Sequence, residues 1–186
     1  APAPAPVTAA PASAPQAPEL DAELLEIFLE EAREVVGNGL AAIEALATAP
    51  SDVGEMTILR RAFHTLKGSS RMVGLNEFGE AAWSLEQLLN TWLADQKPAN
   101  DDLRQVAAQA MTGFGRWIED IAGRTDGGWK AGMFRVPADA LRTEGRVQAF
   151  ALPGVAAPAP LAEPEVVEAI EVVEAIAPVE TFDLVD

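Results

Sequence analysis

Apolar side chains at helical spacing constrain the fold of this chain more than any other feature of its sequence. In four successive stretches the apolar residues recur at intervals of three and four, which is the period of one helix face and not the alternation of a strand. The stretches cover roughly residues 20–47, 51–74, 76–96 and 101–121. Because short connections make consecutive helices antiparallel neighbours, the sequence predicts an all-α fold, an antiparallel up-down four-helix bundle.

Local signals predict where these helices begin and end. Ser51, which follows a proline, is the predicted N-cap of the second helix, and Asn76 is the predicted N-cap of the third. Gly74 suits a left-handed position at the end of the second helix. Two glycines in the first helix, Gly37 and Gly39, each cost up to about 1 kcal/mol relative to Ala, so we expect a kink near them.

Composition divides the chain into four parts. Residues 1–18 are almost entirely Ala and Pro, which predicts an extended linker. Residues 19–123 hold the predicted bundle. Residues 155–186 contain 8 acidic residues and no basic one, which predicts a disordered, self-repelling linker, although a doubled Val-Val-Glu-Ala-Ile there suits a short helix. Linkers at both ends suggest a domain cut from a longer protein.

The part between the bundle and the acidic linker, residues 124–154, is harder to interpret. It carries Trp129, Phe134 and Phe150, which is more aromatic surface than an ordinary linker has, and it also contains glycines and prolines. A short helix is predicted to open at Val136, with Pro137 at an early position where its missing N–H does no harm. We expect a partly ordered extension that lies against the bundle.

Charge and composition narrow the class of protein. The absence of cysteine fits a reducing compartment, and the chain shows neither a signal-peptide pattern nor 18 consecutive apolar residues. We therefore expect a cytoplasmic protein that does not enter a membrane. A formal net charge of −16 argues against nucleic-acid binding. Even so, 4 of the 13 basic residues fall between positions 60 and 71.

Those basic residues surround the one histidine of the chain. On a helix, Arg60 and Arg61 lie one turn before His64, and Lys67 and Gly68 lie one turn after it. His64 is displaced from the apolar stripe of its helix. An exposed imidazole among cations, beside a position without a side chain, is a plausible phosphoryl acceptor, so this pattern predicts a phosphate carrier.

Counting outward from the turn at Gly74 gives His64 a candidate partner. In an antiparallel pair, a residue ten positions before the turn lies level with one ten positions after it, which places His64 near Leu85 and Glu86. Leu85 belongs to the apolar stripe, so Glu86 is the predicted contact. A carboxylate that accepts a hydrogen bond from one imidazole nitrogen fixes the tautomer and makes the other nitrogen more nucleophilic.

The run His64-Thr65-Leu66-Lys67-Gly68-Ser69 resembles the phosphorylation-site motif of histidine phosphotransfer (HPt) domains, His-x-Leu/Ile-Lys-Gly-Ser/Ala/Gly. The likeness extends over roughly residues 19–123 and is greatest to the HPt domains of chemotaxis-type and pilus-motility-type hybrid histidine kinases. It implies phosphorylation of His64 on Nε2, with a glutamate on the third helix, here Glu86, orienting the ring. The family often has a polar residue one turn before that glutamate, where this chain has Trp83.

The resemblance implies a role for each neighbouring residue, and each role has a plainer alternative. Lys67 would neutralise phosphoryl charge. Gly68 would give a partner access, unless it only permits close helix packing. The remaining residues of the group are either partner-binding or part of a solvated helix face, namely Arg60, Arg61, Ser69 and Arg71. By position, all four tryptophans are expected in the core.

Three classes of function follow. The first is a phosphorelay intermediate in two-component signal transduction, in which His64 exchanges a phosphoryl group with a response-regulator receiver aspartate or accepts it from a kinase ATP-binding domain. The partner would supply the Mg²⁺, so the chain itself needs no cofactor or metal. The second is a non-catalytic HPt-like docking module. The third, an autonomous enzyme, finds little support, because no nucleotide loop or metal constellation is recognisable.

Overall fold

The computed structural model describes residues 17–154, and its regular structure there is helical. The helices are α1 (Ala17–Thr48), α2 (Val53–Met72), α3 (Asn76–Ala94), α4 (Asp101–Ala122) and α5 (Gly132–Glu144), with a single 3-10 turn at Asp126–Gly128 before α5. Helix α2 packs against both α1 and α3, α1 also packs on α4, and α5 packs on α3 and α4. The predicted all-α bundle is confirmed, and α5 is the short helix predicted in residues 124–154.

The predicted caps at the start of α2 and α3 are wrong. Asp52 caps α2, because its carboxylate accepts the Glu55 N–H at 3.1 Å. Asn76 is the first residue of α3, and no side chain caps that helix. The reason is the tight turn that closes α2, in which Gly74 has φ +78° and the Leu75 N–H donates to the Ser70 carbonyl at 2.9 Å. The left-handed Gly74 is as predicted.

Helix α1 is unbroken through both of its interior glycines. Gly39 is buried at the contact between α1 and α4, where an added Cβ would lie only 2.4 Å from Cε of Met111. Gly37 faces open space. The conformational cost of Gly39 is therefore offset by close helix packing, and α1 stays helical across the two positions where a kink is expected.

Aromatic rings from all five helices form the centre of the core. The closest pair is Phe114 of α4 and Phe134 of α5, whose ring centroids lie 4.4 Å apart. The other rings in this connected cluster are Phe28, Phe63, Phe78, Trp117, Trp129 and Phe150. Such contacts add to the free energy gained by burying apolar area, so α5 shares one core with the rest of the bundle.

The segment 124–154 wraps onto the bundle through α5. Phe134 is fully buried, and the Ala131 N–H, at the start of α5, donates to Oε2 of Glu77 on α3 at 2.6 Å. The helix begins at Gly132, earlier than predicted, so Pro137 lies inside it. Residues 1–16 and 155–186, which hold nearly all of the predicted linkers, lie outside the described residues; Ala17 and Pro18 belong to α1.

The expectation of four core tryptophans is wrong for one of them. Trp92, Trp117 and Trp129 are buried, whereas Trp83 on α3 is 42% exposed. No helix between residues 17 and 154 combines the length and apolar character needed to cross a membrane.

Candidate functional site

His64 projects from the solvent side of α2, two helical turns before the end of that helix. The apolar stripe of α2, which includes Leu59, Phe63 and Leu66, is buried against α1 and α3. His64 is one position beyond this stripe, so 60% of its side chain is exposed. Its Nδ1 lies 2.8 Å from Oε1 of Glu86 on α3. The structure thus brings together the two residues that counting from the turn paired.

Glu86 is a buried carboxylate with cations on its open side. Its side chain is only 6% exposed, and Lys67 donates to its Oε2 at 2.6 Å. Arg60 is a more distant neighbour, with Nη1 3.9 Å from Oε1. These groups come from successive turns of α2, since positions 60, 64 and 67 share one face of a helix. The buried charge of Glu86 is therefore paired on both of its oxygens.

The surroundings of Glu86 keep it ionised. Burial by itself raises the pKa of this carboxyl, but the hydrogen bonds and charges of Lys67 and His64 together outweigh burial, so its pKa lies below the ordinary value of 4.5. An ionised carboxylate can only accept hydrogen bonds. The hydrogen bond between Glu86 and Nδ1 therefore requires the proton to be on Nδ1.

The hydrogen bond to Glu86 determines which nitrogen of His64 can react. In a neutral imidazole one nitrogen carries the proton and the other carries a lone pair. Because Nδ1 donates to Glu86, the lone pair is on Nε2, the nitrogen on the far side of the ring from Glu86. The exposed side chain leaves Nε2 open to a group that approaches from solvent. The arrangement is that of a positioned nitrogen nucleophile.

Gly68 leaves the surface next to His64 free of a side chain. It is exposed, and a Cβ added there would meet no atom within 4 Å among the described residues. Close helix packing, the plainer explanation of this glycine, is therefore excluded. An interior helical glycine costs about 1 kcal/mol relative to Ala. The remaining explanation for a glycine at this position is the open space that it leaves one turn beyond the imidazole.

The other predicted site residues divide into two groups. Arg61 is exposed, and it forms no ion pair with the residues described from 21 to 154. Arg71 crosses from α2 to pair with Glu80 of α3 at 2.7 Å, partly exposed. Ser69 and Ser70 both turn their hydroxyls onto carbonyls of α2, those of Thr65 and Lys67. The serines are therefore engaged within the helix, while the arginines face solvent.

Two features of the site were missed in the sequence. The first is the bond from Lys67 to Glu86: the ammonium was assigned to a phosphoryl group, and the spacing that places it near His64 also places it near Glu86. The second is the exposure of Trp83, which lies three positions from Glu86. In the described part of the chain, no cluster of three or more His, Asp or Glu side chains is arranged to hold a metal ion.

Comparison with known proteins places this site in a family. A model of the family described as "Hpt domain" matches residues 23–122, more than half of the chain. No curated protein and no solved structure matched the chain. Hpt domains are phosphotransfer modules of two-component phosphorelays; they partner with response-regulator receivers and are not enzymes on their own. The match contains α2 and α3 with the whole His64 site, and the chain belongs to the Hpt domain family.

Proposed function

We propose that His64 accepts a phosphoryl group on Nε2 and exchanges it with the aspartate of a response-regulator receiver domain. The observation that supports this most is the bond of 2.8 Å between Nδ1 of His64 and the buried Glu86, combined with 60% exposure of the His64 side chain. One nitrogen is held by an ionised carboxylate and the other faces solvent. A histidine with a purely structural role does not need one nitrogen bound and the other open to solvent.

The transfer is a displacement at phosphorus. The Nε2 lone pair forms the N–P bond while the bond from phosphorus to the donor oxygen breaks, and the donor keeps that electron pair as an aspartate carboxylate. The ring gains positive charge as the N–P bond forms. Glu86 stabilises this charge through the Nδ1 proton, which stays on the ring. The reverse reaction returns the phosphoryl group to a receiver aspartate.

Lys67 has two tasks in this proposal. Its bond to Oε2 holds the Glu86 carboxylate, whose other oxygen contacts His64. An ammonium has three donors, so the same group also has protons with which to neutralise a phosphoryl oxygen on Nε2. Arg60 and Arg61 add positive charge on the same side of α2. We propose that the partner supplies Mg²⁺, because phosphoryl transfer from a receiver is organised around the metal in its acidic pocket.

The kind of larger protein to which this chain belongs is also a proposal. The likeness of the sequence around His64 to HPt domains of chemotaxis-type and pilus-motility-type hybrid kinases supports a place for this chain in such a kinase. In that setting an ATP-binding domain is the first phosphoryl donor, and the chain on its own carries the group without hydrolysing ATP.

The test is transfer of radiolabel between purified proteins. The full chain with labelled ATP and Mg²⁺ alone should remain unlabelled. With a phosphorylated receiver domain added, label should appear on the chain in an acid-labile, base-stable form and disappear in His64→Gln. Equal labelling of His64→Gln would overturn the assignment of the nucleophile.

A matched variant serves as the control, and binding without labelling distinguishes a docking module from a carrier. Thr65→Val alters the neighbouring residue of α2 without touching the imidazole, and it should accept label like the wild type. If neither the wild type nor Thr65→Val accepts label from receivers that nevertheless bind to it, the chain is a docking module.

A further inference from the structure

Trp83 is the exposed tryptophan of this protein. The side chains of Trp92, Trp117 and Trp129 are between 2% and 5% exposed, whereas Trp83 is 42% exposed. An indole has the largest apolar surface of any side chain, and folding usually buries it. The core accounts for three of the four tryptophans, whereas about two fifths of Trp83 is open to solvent.

The position of Trp83 on α3 places it beside the phosphoacceptor. Glu86, the partner of His64, is three residues further along the same helix and therefore one turn away. Toward the start of α3, the side chain of Arg71 lies over Gly79, 2.9 Å from where a Cβ would be, and pairs with Glu80. Trp83 thus lies between the Arg71–Glu80 ion pair and the His64–Glu86 hydrogen bond.

The surface around this indole is positively charged on the α2 side. Arg71 pairs with Glu80 beside it, and Arg60 and Arg61 lie further along the same helix face, near Glu86 and His64, although the protein as a whole carries a formal charge of −16. A partner that meets this patch gains most from an acidic surface. The acidic pocket that surrounds a receiver aspartate has this character.

We propose that Trp83 is a docking contact for the receiver domain that exchanges phosphate with His64, and that the indole is buried when the two proteins meet. The inference rests on the proposed function. A receiver must bring its aspartate to Nε2, and an interface of standard size covers about 800 Å² on each partner, so it extends past the next helical turn. Tryptophan is enriched among residues that dominate binding energy. Trp83 therefore contributes to the choice among receivers.

The experiment compares a small phosphoryl donor with a protein donor. Phosphoramidate needs no docking surface, and it serves to load His64 in the wild type, Trp83→Ala, Trp83→Phe and Leu40→Ala. Leu40 is the matched control: it is 39% exposed on α1, and it shares a helix face with Arg33, which pairs with Glu119 of α4. The loaded proteins are then mixed with a panel of isolated receiver domains, and the second-order transfer rate is measured with the fastest one.

Trp83→Ala is expected to load from phosphoramidate like the wild type and to transfer to the receiver at least about tenfold more slowly, the consequence of losing a dominant contact. Trp83→Phe should recover part of the rate, and Leu40→Ala should transfer like the wild type. A Trp83→Ala rate equal to that of Leu40→Ala overturns the proposal.

A second measurement does not depend on a truncated side chain. Acrylamide quenching of indole fluorescence, corrected with Trp83→Phe, reports the exposure of Trp83 alone. The receiver should reduce this quenching in proportion to complex formed, and unchanged quenching in a formed complex contradicts the proposal. Failure of phosphoramidate to load the wild type instead contradicts His64 as acceptor, and loading with no transfer to any receiver contradicts the receiver as partner.

Discussion

The chemistry of a single residue, Glu86, connects the interior of the bundle to its reactive surface. Its carboxylate is buried, yet both oxygens have partners that reach in from α2. An unpaired charge at such a position would be strongly destabilising. The same pairing that makes Glu86 tolerable in the protein interior fixes the proton of His64 on Nδ1. Stability and nucleophile orientation thus depend on one set of contacts.

Stability near the acidic end of the pH range should report this carboxylate. Because the folded-state pKa of Glu86 is lowered, its contribution to the free energy of unfolding is fully present above about its ordinary value of 4.5 and is lost as the pH falls through the lower folded-state pKa. Glu86→Gln should lower the free energy of unfolding at neutral pH by about 1–3 kcal/mol and reduce its decline with acid. Denaturant titrations between pH 7 and pH 3 measure both effects.

Glu119 provides a control for that titration. Its pKa is also lowered by an ion pair, with Arg33, but the pair is exposed and far from His64. Glu119→Gln should change stability little. A pH dependence of unfolding in Glu86→Gln that is identical to that of the wild type would show that Glu86 is not held ionised by folding.

Gly68 gives a prediction in which stability and function change in opposite directions. Gly68→Gln places a side chain in open space on a helix, so the free energy of unfolding should rise by about 0.5–1 kcal/mol. Transfer from a receiver should be slowed, since the new side chain occupies the approach to His64. Thermal unfolding and single-turnover transfer are the two measurements.

Gly37 is the matched control for Gly68. It is an exposed helical glycine of α1 with open space at its Cβ position. It lies one turn after Arg33, whose ion pair with Glu119 shows that this face of α1 is on the α4 side. Gly37→Gln should gain similar stability and transfer at the wild-type rate. Equal transfer rates in the two glutamine variants would contradict an access role for Gly68.

At the scale of elements, α5 is part of the fold and not an appendage, although the family match ends at residue 122. Its Phe134 is fully buried and stacks on Phe114 of α4. Phe134→Ala should lower the free energy of unfolding by about 3–5 kcal/mol, with the whole bundle unfolding in one transition. Val136→Ala, on the same helix and 49% exposed, should cost less than about 0.5 kcal/mol. An early transition of α5 alone in Phe134→Ala would show that it folds separately.

The elements also show how far sequence patterns reach. Apolar spacing predicted α1 to α4, and the turn at Gly74 was enough to pair His64 with Glu86. Residues equally distant from a tight turn lie opposite each other in antiparallel helices, here over nearly three turns. Helix α5 was misplaced because Pro137 was interpreted as a helix start. The bond from Lys67 to Glu86 and the exposure of Trp83 were not predicted for another reason. Spacing indicates which helix face a residue occupies, but it does not indicate which neighbour a long side chain contacts or whether another helix covers an apolar side chain.

Taken together, the helices present the proposed phosphoacceptor His64 on an otherwise acidic surface. Helices α2 and α3 hold His64 and its partner, while α1, α4 and α5 hold those two helices in place. The free energy that keeps Glu86 and His64 in register therefore comes from the whole core. In the proposed transfer, the molecule supplies position and charge, and the receiver supplies the Mg²⁺.

The central claim is that Nε2 of His64 receives the phosphoryl group while Nδ1 keeps its proton on Glu86. The chain has one histidine, so a ¹⁵N-labelled sample gives a single imidazole pattern in long-range ¹H–¹⁵N spectra. After phosphoramidate treatment, ³¹P should couple to Nε2 and Nδ1 should remain protonated, and His64→Gln should show no ³¹P-coupled nitrogen. Phosphorus bonded to Nδ1, or a fully labelled protein with an unmodified imidazole, would contradict it.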